Sequence, residues 1–306
     1  MRYTTTDAVA PGVGRFQVRS TVSLSLLAEL KTQGKPIVMV TAYDYATARV
    51  ADRAGVDMVL VGDSAAQVVL GRRSTVDITV DEMLILAAAA RRGVESAFLV
   101  GDLPFGSTEM SDGQAVATAT RFVKEAGVDA VKLEGGWPER LSRIRAIVGA
   151  GIPVIGHVGL TPQTAVALGG MRAQGRSPEA AARLAREAIA VQAAGASALV
   201  IEAVPRAVVD VLLPAMCIPV IGIGAGAADG QVLVMHDLLG ITEGVMPRFV
   251  KTYAEVGTAM VRGVEAYAAD VRSGTFPQKE NDYSASAGAV AAAHDVLAVQ
   301  LLPGRA

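Results

Sequence analysis

The chain has 306 residues, with 28 Lys and Arg against 30 Asp and Glu, and 51% hydrophobic but only 4% aromatic residues. A net charge of −2, spread along the chain, excludes the basic footprint of a nucleic-acid or anionic-membrane binder and points to a small-molecule partner. No apolar run reaches the roughly 18 residues of a membrane span, and Met1 to Leu30 lacks a basic-then-apolar signal pattern, so the expected compartment is the cytoplasm.

Residues 1–24 show no regular pattern and are expected to be an N-terminal extension. Ile37-Val38-Met39-Val40-Thr41 is the first short apolar run. A repeating unit follows, in which an Ala-rich helical stretch ends at Gly and a Val/Ile/Leu run then stops at an acid, His or Gly. Gly55 leads into Met58 to Asp63, Gly93 into Phe98 to Asp102, Gly127 into Ala130 to Glu134, Gly151 into Val154 to His157, and Gly195 into Leu199 to Glu202. Val220 to Ile223 makes a seventh run and Gln231 to Met235 an eighth. Glycine just past a helix supplies a left-handed cap, and a short continuous apolar run suits a parallel strand buried on both faces. Thr79-Val80-Asp81-Glu82 and Ser111-Asp112-Gly113-Gln114 match capping boxes, and Ser177-Pro178-Glu179 puts Pro at a first helical position.

Eight such units predict an α/β fold of the (β/α)8 TIM-barrel class, with an open doubly wound sheet as the competing arrangement of the same unit. Leu160 to Arg176 is long and glycine-rich for a strand-to-helix connection, which favours an active-site loop. The expected organisation is an extension at 1–24, one catalytic barrel domain at 25–283 and an Ala-rich tail at 284–306. Cys217 is the only cysteine, so no disulfide or thiolate metal site forms within the chain, and it is expected in the core as a small hydrophobe.

In such a barrel the chemistry sits at the carboxyl ends of the strands. Asp63, Asp102, Glu134 and Glu202 end four of the runs, and His157 ends a fifth. Alternation puts Lys132 and Glu134 on the inner side and Val131 and Leu133 on the outer. A single acid at a strand end is readily explained as a solvated loop residue or a helix cap. Four around a ring repel one another unless a cation joins them, and hard oxygen donors without thiolates suit Mg²⁺ or Mn²⁺ rather than Zn²⁺. Gly222-Ile223-Gly224-Ala225-Gly226 lacks the helix-opening context of a dinucleotide loop, so its glycines are expected to permit close backbone approach. His236 is expected to be a hydrogen-bonded structural histidine, and Trp137 is assigned no role.

Thr41-Ala42-Tyr43-Asp44-Tyr45, Val61-Gly62-Asp63-Ser64, Asp102-Leu103-Pro104-Phe105, Val131-Lys132-Leu133-Glu134-Gly135-Gly136, Gly156-His157-Val158-Gly159-Leu160-Thr161-Pro162-Gln163 and Gln174-Gly175-Arg176 occur in that order. With Ile221 to Gly226 and Asp229 to Val234, they resemble the ketopantoate hydroxymethyltransferase family from about Lys35 to Pro277. The resemblance implies Mg²⁺ surrounded by Asp63, Asp102 and Glu134, directly or through water. It also implies a 2-oxo acid held by Ser64 and Lys132 beside Asp63 and Asp102, with Glu202 as general base and His157 as an additional site residue. The implied reaction uses 5,10-methylenetetrahydrofolate and water to turn 3-methyl-2-oxobutanoate into 2-dehydropantoate, and the implied assembly is a homo-oligomer, a decamer.

The chain departs from the family wording at Arg72 to Asp77, at Met171 and at Glu280-Asn281-Asp282-Tyr283. Two other functions compete: a Mg²⁺-dependent carbon–carbon lyase or mutase acting on small oxo acids, and a catalytically inactive barrel serving as a binding protein. The first lacks a candidate nucleophilic cysteine. The second sits badly with an intact Asp63, Asp102, Lys132, Glu134 and Glu202.

Overall fold

The computed structural model describes residues 19–244 and 246–300. Most of the expected N-terminal extension, residues 1–18, and the end of the tail, 301–306, lie outside the described residues. Eight parallel strands close into a barrel in sequence order: β1 (Ile37–Thr41), β2 (Met58–Val61), β3 (Phe98–Asp102), β4 (Ala130–Glu134), β5 (Val154–Gly159), β6 (Ala198–Glu202), β7 (Val220–Ile223) and β8 (Gly230–Leu233). Closure comes from β8 pairing with β1 in the register Ile37↔Gly230 to Val40↔Leu233. The open doubly wound alternative is thereby excluded, and the eighth strand starts one residue and ends two residues earlier than the sequence suggests.

The helices are α1 (Leu24–Thr32), α2 (Tyr45–Arg53), α3 (Ala65–Val68), α4 (Val80–Gly93), α5 (Asp112–Arg121), α6 (Pro138–Gly149), α7 (Pro178–Ala193), α8 (Arg206–Leu212), α9 (Met235–Leu238), α10 (Val256–Ser273) and α11 (Ala287–Gln300). At the start of α4 the box is complete, with Thr79 and Glu82 satisfying each other's backbone. At α5 only half of it forms: Ser111 accepts from the Gln114 N–H, but Gln114 Oε1 turns back to the Met110 N–H at 2.9 Å. Gly55, Gly127, Gly151 and Gly195 are left-handed, as expected of caps. Gly93 is not. It lies within α4, where a Cβ would come 2.4 Å from the Tyr45 carbonyl oxygen, so it is required for close approach of α4 to α2.

Period-2 alternation splits the strands between two apolar clusters. Met39, Met58, Leu60, Phe98, Val100, Ala130, Ile155, Val200 and Val232 fill the barrel interior, while Val59, Val61, Leu99, Val131, Leu133, Leu199 and Ile201 face the helices. Val22 and Leu27 join the interior cluster near the amino-terminal ends of the strands, where the Val22 N–H bonds the Ser96 carbonyl at 2.7 Å. Full burial of a side chain such as Leu27 contributes about 1.5–3 kcal/mol, so this segment is part of the barrel's closure.

Cys217 is exposed, against expectation. Met216 takes the buried position beside it, and Cys217 is held by its backbone, whose N–H donates to Gln192 Oε1 at 2.6 Å.

Two compact units partition the chain, at 1–254 and 255–306. The second contains α10, ended by left-handed Gly274, and α11, with the Tyr267 and Phe276 rings packed edge-on at 5.7 Å. Among the described residues, no helix is long and apolar enough to cross a membrane.

Candidate active site

A cavity of about 190 Å³ opens at the carboxyl ends of the strands and is lined by Asp63, Ser64, Asp102, Lys132, Glu134, His157 and Glu202. All seven residues nominated from the sequence therefore meet in one place. Strand alternation brings them there: Asp102 stands two residues above Val100, Lys132 and Glu134 above Ala130, His157 above Ile155, and Glu202 above Val200, all in interior-facing positions. Asp63 and Ser64 come from the turn after β2.

The charges are packed closely. Lys132 Nζ donates to both oxygens of Asp102 at 2.7 Å and lies 3.8 Å from Glu134 Oε1, with all three side chains buried. The Asp63 N–H donates to Asp102 Oδ2 at 3.2 Å, which seats the two aspartates side by side. Burial, then the charges of Asp102 and Glu134, raise the Asp63 carboxyl well above the usual range. Burial also raises Asp102, partly offset by Lys132. Although burial opposes its charge, Lys132 is held above the usual lysine range by Asp102, Glu134 and Asp63.

His157 lies between two acids, with Nδ1 3.3 Å from Glu134 Oε1 and Nε2 3.3 Å from Glu202 Oε2. These contacts are close without being aligned as hydrogen bonds, and neither ring nitrogen has a hydrogen-bond partner. Burial and Lys132 oppose protonation, but the flanking carboxylates outweigh them and push the imidazole up to about 9. Burial raises Glu134, but His157, then Lys132 and the Gln163 N–H, outweigh it and hold the carboxyl below its usual range. Ala203, next to Glu202, has φ +49 and is the only non-glycine residue in the left-handed region among the described residues. Such backbone strain is typical of functional sites and here turns the chain directly after Glu202.

Sequence reasoning did not single out Gln163 or Tyr43. Gln163 is buried in the turn Pro162–Thr164, and its side chain reaches Asp63. Tyr43 is buried with its hydroxyl 2.9 Å from Ser64 Oγ. Both lie inside quoted motifs, but an uncharged polar side chain gives no charge pattern to mark it.

Pro162 and Met171 of the 160–176 loop also line the cavity. Both ends of the loop are tied to the end of β6, by the Leu160 N–H to the Glu202 carbonyl at 2.9 Å and the Gln174 N–H to the Ala203 carbonyl at 2.8 Å. Behind the loop lies a second cavity of about 300 Å³, with Trp137, Leu168, Leu184 and Glu187 in its walls. It is larger but holds none of the acidic ring, so chemistry and not volume identifies the site. Trp137 packs at the start of α6, with the Arg140 guanidinium 5.4 Å from its ring centre. His236 departs from expectation, since its Nδ1 is buried without a partner and burial lowers its pKa. Gly224 does permit close approach: a Cβ there would meet the Phe249 ring at 2.5 Å.

Whether a divalent cation suits these residues turns on charge and donor type. Asp63, Asp102 and Glu134 are hard oxygen donors, and Lys132 is the one ammonium buried among them. Among the described residues, no three or more His, Cys, Asp or Glu side chains converge closely enough to hold an ion by themselves. Mg²⁺ takes oxygen donors of this type, keeping several waters and binding through one or two carboxylates plus substrate oxygens.

A family model described as ketopantoate hydroxymethyltransferase matches residues 21–279. The chain belongs to the ketopantoate hydroxymethyltransferase family. The relative from Gloeobacter violaceus, a 3-methyl-2-oxobutanoate hydroxymethyltransferase, is 51% identical over 253 residues, covering 82% of this chain and 97% of that protein. The enzyme of the same name from Moorella thermoacetica is 51% identical over 266 residues, covering 87% and 98%. Among solved structures, the phosphoenolpyruvate phosphomutase of Streptomyces platensis subsp. rosaceus has a TM-score of 0.56 at 20% identity, covering 91% of this chain and 97% of that one. A phosphonopyruvate hydrolase crystallised with oxalate and Mg²⁺ has a TM-score of 0.57 at 14% identity, covering 92% and 98%. These two likenesses establish a shared barrel fold.

Proposed function

We propose that the chain transfers a hydroxymethyl group from 5,10-methylenetetrahydrofolate to 3-methyl-2-oxobutanoate, giving 2-dehydropantoate and tetrahydrofolate with consumption of one water. Family membership supports the reaction class and the oxo acid. The observation that carries the site assignment is the buried ring of Asp63, Asp102 and Glu134 around Lys132, with Glu202 on its far side.

Asp63, Asp102 and, directly or through water, Glu134 would hold Mg²⁺. The ion supplies positive charge where negative charge develops on the substrate's carbonyl oxygen. Lys132 neutralises the substrate carboxylate and Ser64 donates to it. Glu202 takes the C3 proton, and the C3–H electron pair becomes the enolate nucleophile that forms the new C–C bond to the folate's one-carbon unit. The water consumed breaks that carbon's two C–N bonds, its protons passing to the two nitrogens of tetrahydrofolate and its oxygen to the new hydroxymethyl group, which takes up the C3 proton. The imidazolium of His157, held charged between Glu134 and Glu202, orients the base. Apolar walls at Val200, Ile223 and Val232 limit water around the enolate.

The lyase or mutase reading shares only the fold with this chain's structural neighbours, and the inactive-barrel reading leaves the gathered charges without a use. We assign catalysis to residues 25–283, with 284–306 as an extension and 1–24 as one whose last residues, Arg19 and Val22, pack on the barrel, and place the protein in the cytoplasm as a homo-oligomer, a decamer as in the family. The test is turnover of 3-methyl-2-oxobutanoate with 5,10-methylenetetrahydrofolate. Formation of 2-dehydropantoate that stops in excess EDTA is expected. No product with both substrates overturns the reaction, and full activity in EDTA overturns the metal.

A further inference from the structure

Gln163 makes three hydrogen bonds, and all of them tie the long loop to the acidic ring or to its supporting strand ends. Its backbone N–H donates to Glu134 Oε2 at 3.0 Å. Its side-chain Nε2 donates to Asp63 Oδ2 and to the Leu103 carbonyl, each at 3.0 Å. One neighbour of that nitrogen is the Leu103 carbonyl, an acceptor with no proton to give, so the NH₂ end of the amide is the one that fits there. The bond from Gln163 is the only one that the Asp63 carboxylate accepts among the described residues.

We propose that Gln163 is a positioning residue for divalent-cation binding, its side chain aiming the Asp63 carboxylate and its backbone amide holding Glu134. The inference rests on the metal reading above and adds a residue to it. An aspartate on a short turn after β2 has two free side-chain torsions. Neighbouring Asp102 and Glu134 repel it, and an unanchored carboxylate relieves that repulsion by rotating away. A donor on Oδ2 keeps Asp63 facing its neighbours, and a cation then meets carboxylates already in place instead of ordering them on binding. Partners of this kind, which touch the ligands and not the ion, typically change metal affinity about ten- to a hundredfold.

Further bonds hold the turn that carries Gln163. Thr161 and Thr164 pair through their hydroxyls at 2.6 Å, and the Thr164 N–H donates to the Thr161 carbonyl at 3.0 Å. The residues just before and well after it are tied to the end of β6 beside Glu202. One loop thus supports two of the proposed ligands through Gln163 and, from both of its ends, the strand end that carries the proposed base.

Mn²⁺ is a suitable probe, because it takes oxygen ligands like Mg²⁺ and the free ion is counted directly by electron paramagnetic resonance, with no turnover needed. The full-length protein is stripped of metal and titrated with Mn²⁺ in the presence of saturating 3-methyl-2-oxobutanoate and no folate, so that the substrate oxygens of the proposed site are supplied. Gln163→Met, which keeps the bulk and removes both side-chain donors, is expected to weaken Mn²⁺ binding about tenfold or more. Gln163→Asn keeps an amide one methylene shorter and serves as the second variant if Gln163→Met does not fold, with a loss of the same sign expected. A purely structural glutamine would lower the melting temperature and leave the affinity of the folded protein unchanged, and unchanged affinity in a folded variant overturns the inference alone. Wild-type protein that retains no Mn²⁺ overturns the metal reading, and this inference with it.

Discussion

Acids at the two ends of the barrel differ in how their charges are met. At the amino-terminal ends of the strands, Asp57, Asp129 and Asp229 each accept a strand N–H, from Val38, Leu99 and Val220 at 2.8–2.9 Å. Each also has its own cation, in Arg19, Arg91 and Lys31 respectively. At the carboxyl ends, Asp63, Asp102, Glu134 and Glu202 have only Lys132 and the His157 imidazolium among them, two cations for four acids, and the first three are more deeply buried. The same side chains thus serve as satisfied structural caps at one end and as an under-neutralised cluster at the other. A fold gains nothing from crowding like charges out of water, so the excess at the second end marks where a ligand of opposite charge belongs.

The contrast breaks most sharply at Glu202. Glu202→Gln keeps the shape and loses the base, and general-base removal costs about 10²- to 10⁴-fold in rate. With metal but without folate, wild-type protein should exchange the C3 hydrogen of 3-methyl-2-oxobutanoate with deuterated water, and the variant should exchange it slower by that factor while still binding the oxo acid. Exchange at the wild-type rate in Glu202→Gln removes Glu202 from the role of base.

Opposite behaviour is expected at the other end. Asp229 Oδ2 accepts from the Val220 N–H at 2.8 Å and from Lys31 at 2.7 Å, joining β7 to α1. Asp229→Ala leaves the buried β7 N–H unpartnered and should cost about 1–3 kcal/mol of stability. Urea denaturation should show that loss while KM for the oxo acid stays unchanged. A shift in KM with stability retained would mean that the two ends are not separate in function.

The third effect is smaller and has the reverse sign. Asp63 titrates higher in the folded than in the unfolded chain because of burial and the charges of Asp102 and Glu134. Between those two values the folded state binds more protons, so this group's contribution to stability is fully present below the unfolded pKa and is lost as pH rises through the folded one. Asp63→Asn removes that penalty. At neutral pH the metal-free variant should be more stable than wild type by about 0.5–2 kcal/mol, though it binds the divalent ion more weakly. A lower melting temperature than that of metal-free wild type would contradict the repulsion argued for this end.

Much of this was legible in the sequence for a definite reason. Parallel strands buried on both faces are continuous apolar runs, and a barrel places its chemistry where those runs stop, so Asp102, Glu134, His157 and Glu202 are marked by position alone. What escaped has reasons of its own. Gly93 looks like Gly127 or Gly195 in sequence, yet it answers to the backbone of α2, a contact 48 residues away along the chain at Tyr45. Cys217 follows an apolar pattern, but the turn before β7 gives the buried place to Met216. Gln163 and Tyr43 act through hydrogen bonds to charged or hydroxyl partners brought close only by barrel closure, and no local spacing encodes that.

The smallest expected effect concerns Tyr43. Burial raises its hydroxyl well above the usual tyrosine range, so it keeps its proton, and Ser64 Oγ lies 2.9 Å away. A tyrosine that donates to Ser64 leaves the serine's own proton free to point into the cavity, toward the carboxylate of the oxo acid. Tyr43→Phe removes that constraint without changing the ring. The Ser64 hydroxyl then rotates freely, and about 0.5–1.5 kcal/mol of substrate binding should be lost, as for a single neutral hydrogen bond. The loss should appear in KM for the oxo acid and not in kcat, since the proposed role of Ser64 is to hold the substrate carboxylate and not to move the transferred proton. Ser64→Ala supplies the control. If Tyr43 acts through Ser64, Tyr43→Phe adds nothing in the Ser64→Ala background, and the double-mutant cycle shows a coupling as large as the single effect. Equal and additive losses in both backgrounds would mean that the buried hydroxyl serves packing alone, and that Ser64 reaches the substrate without it.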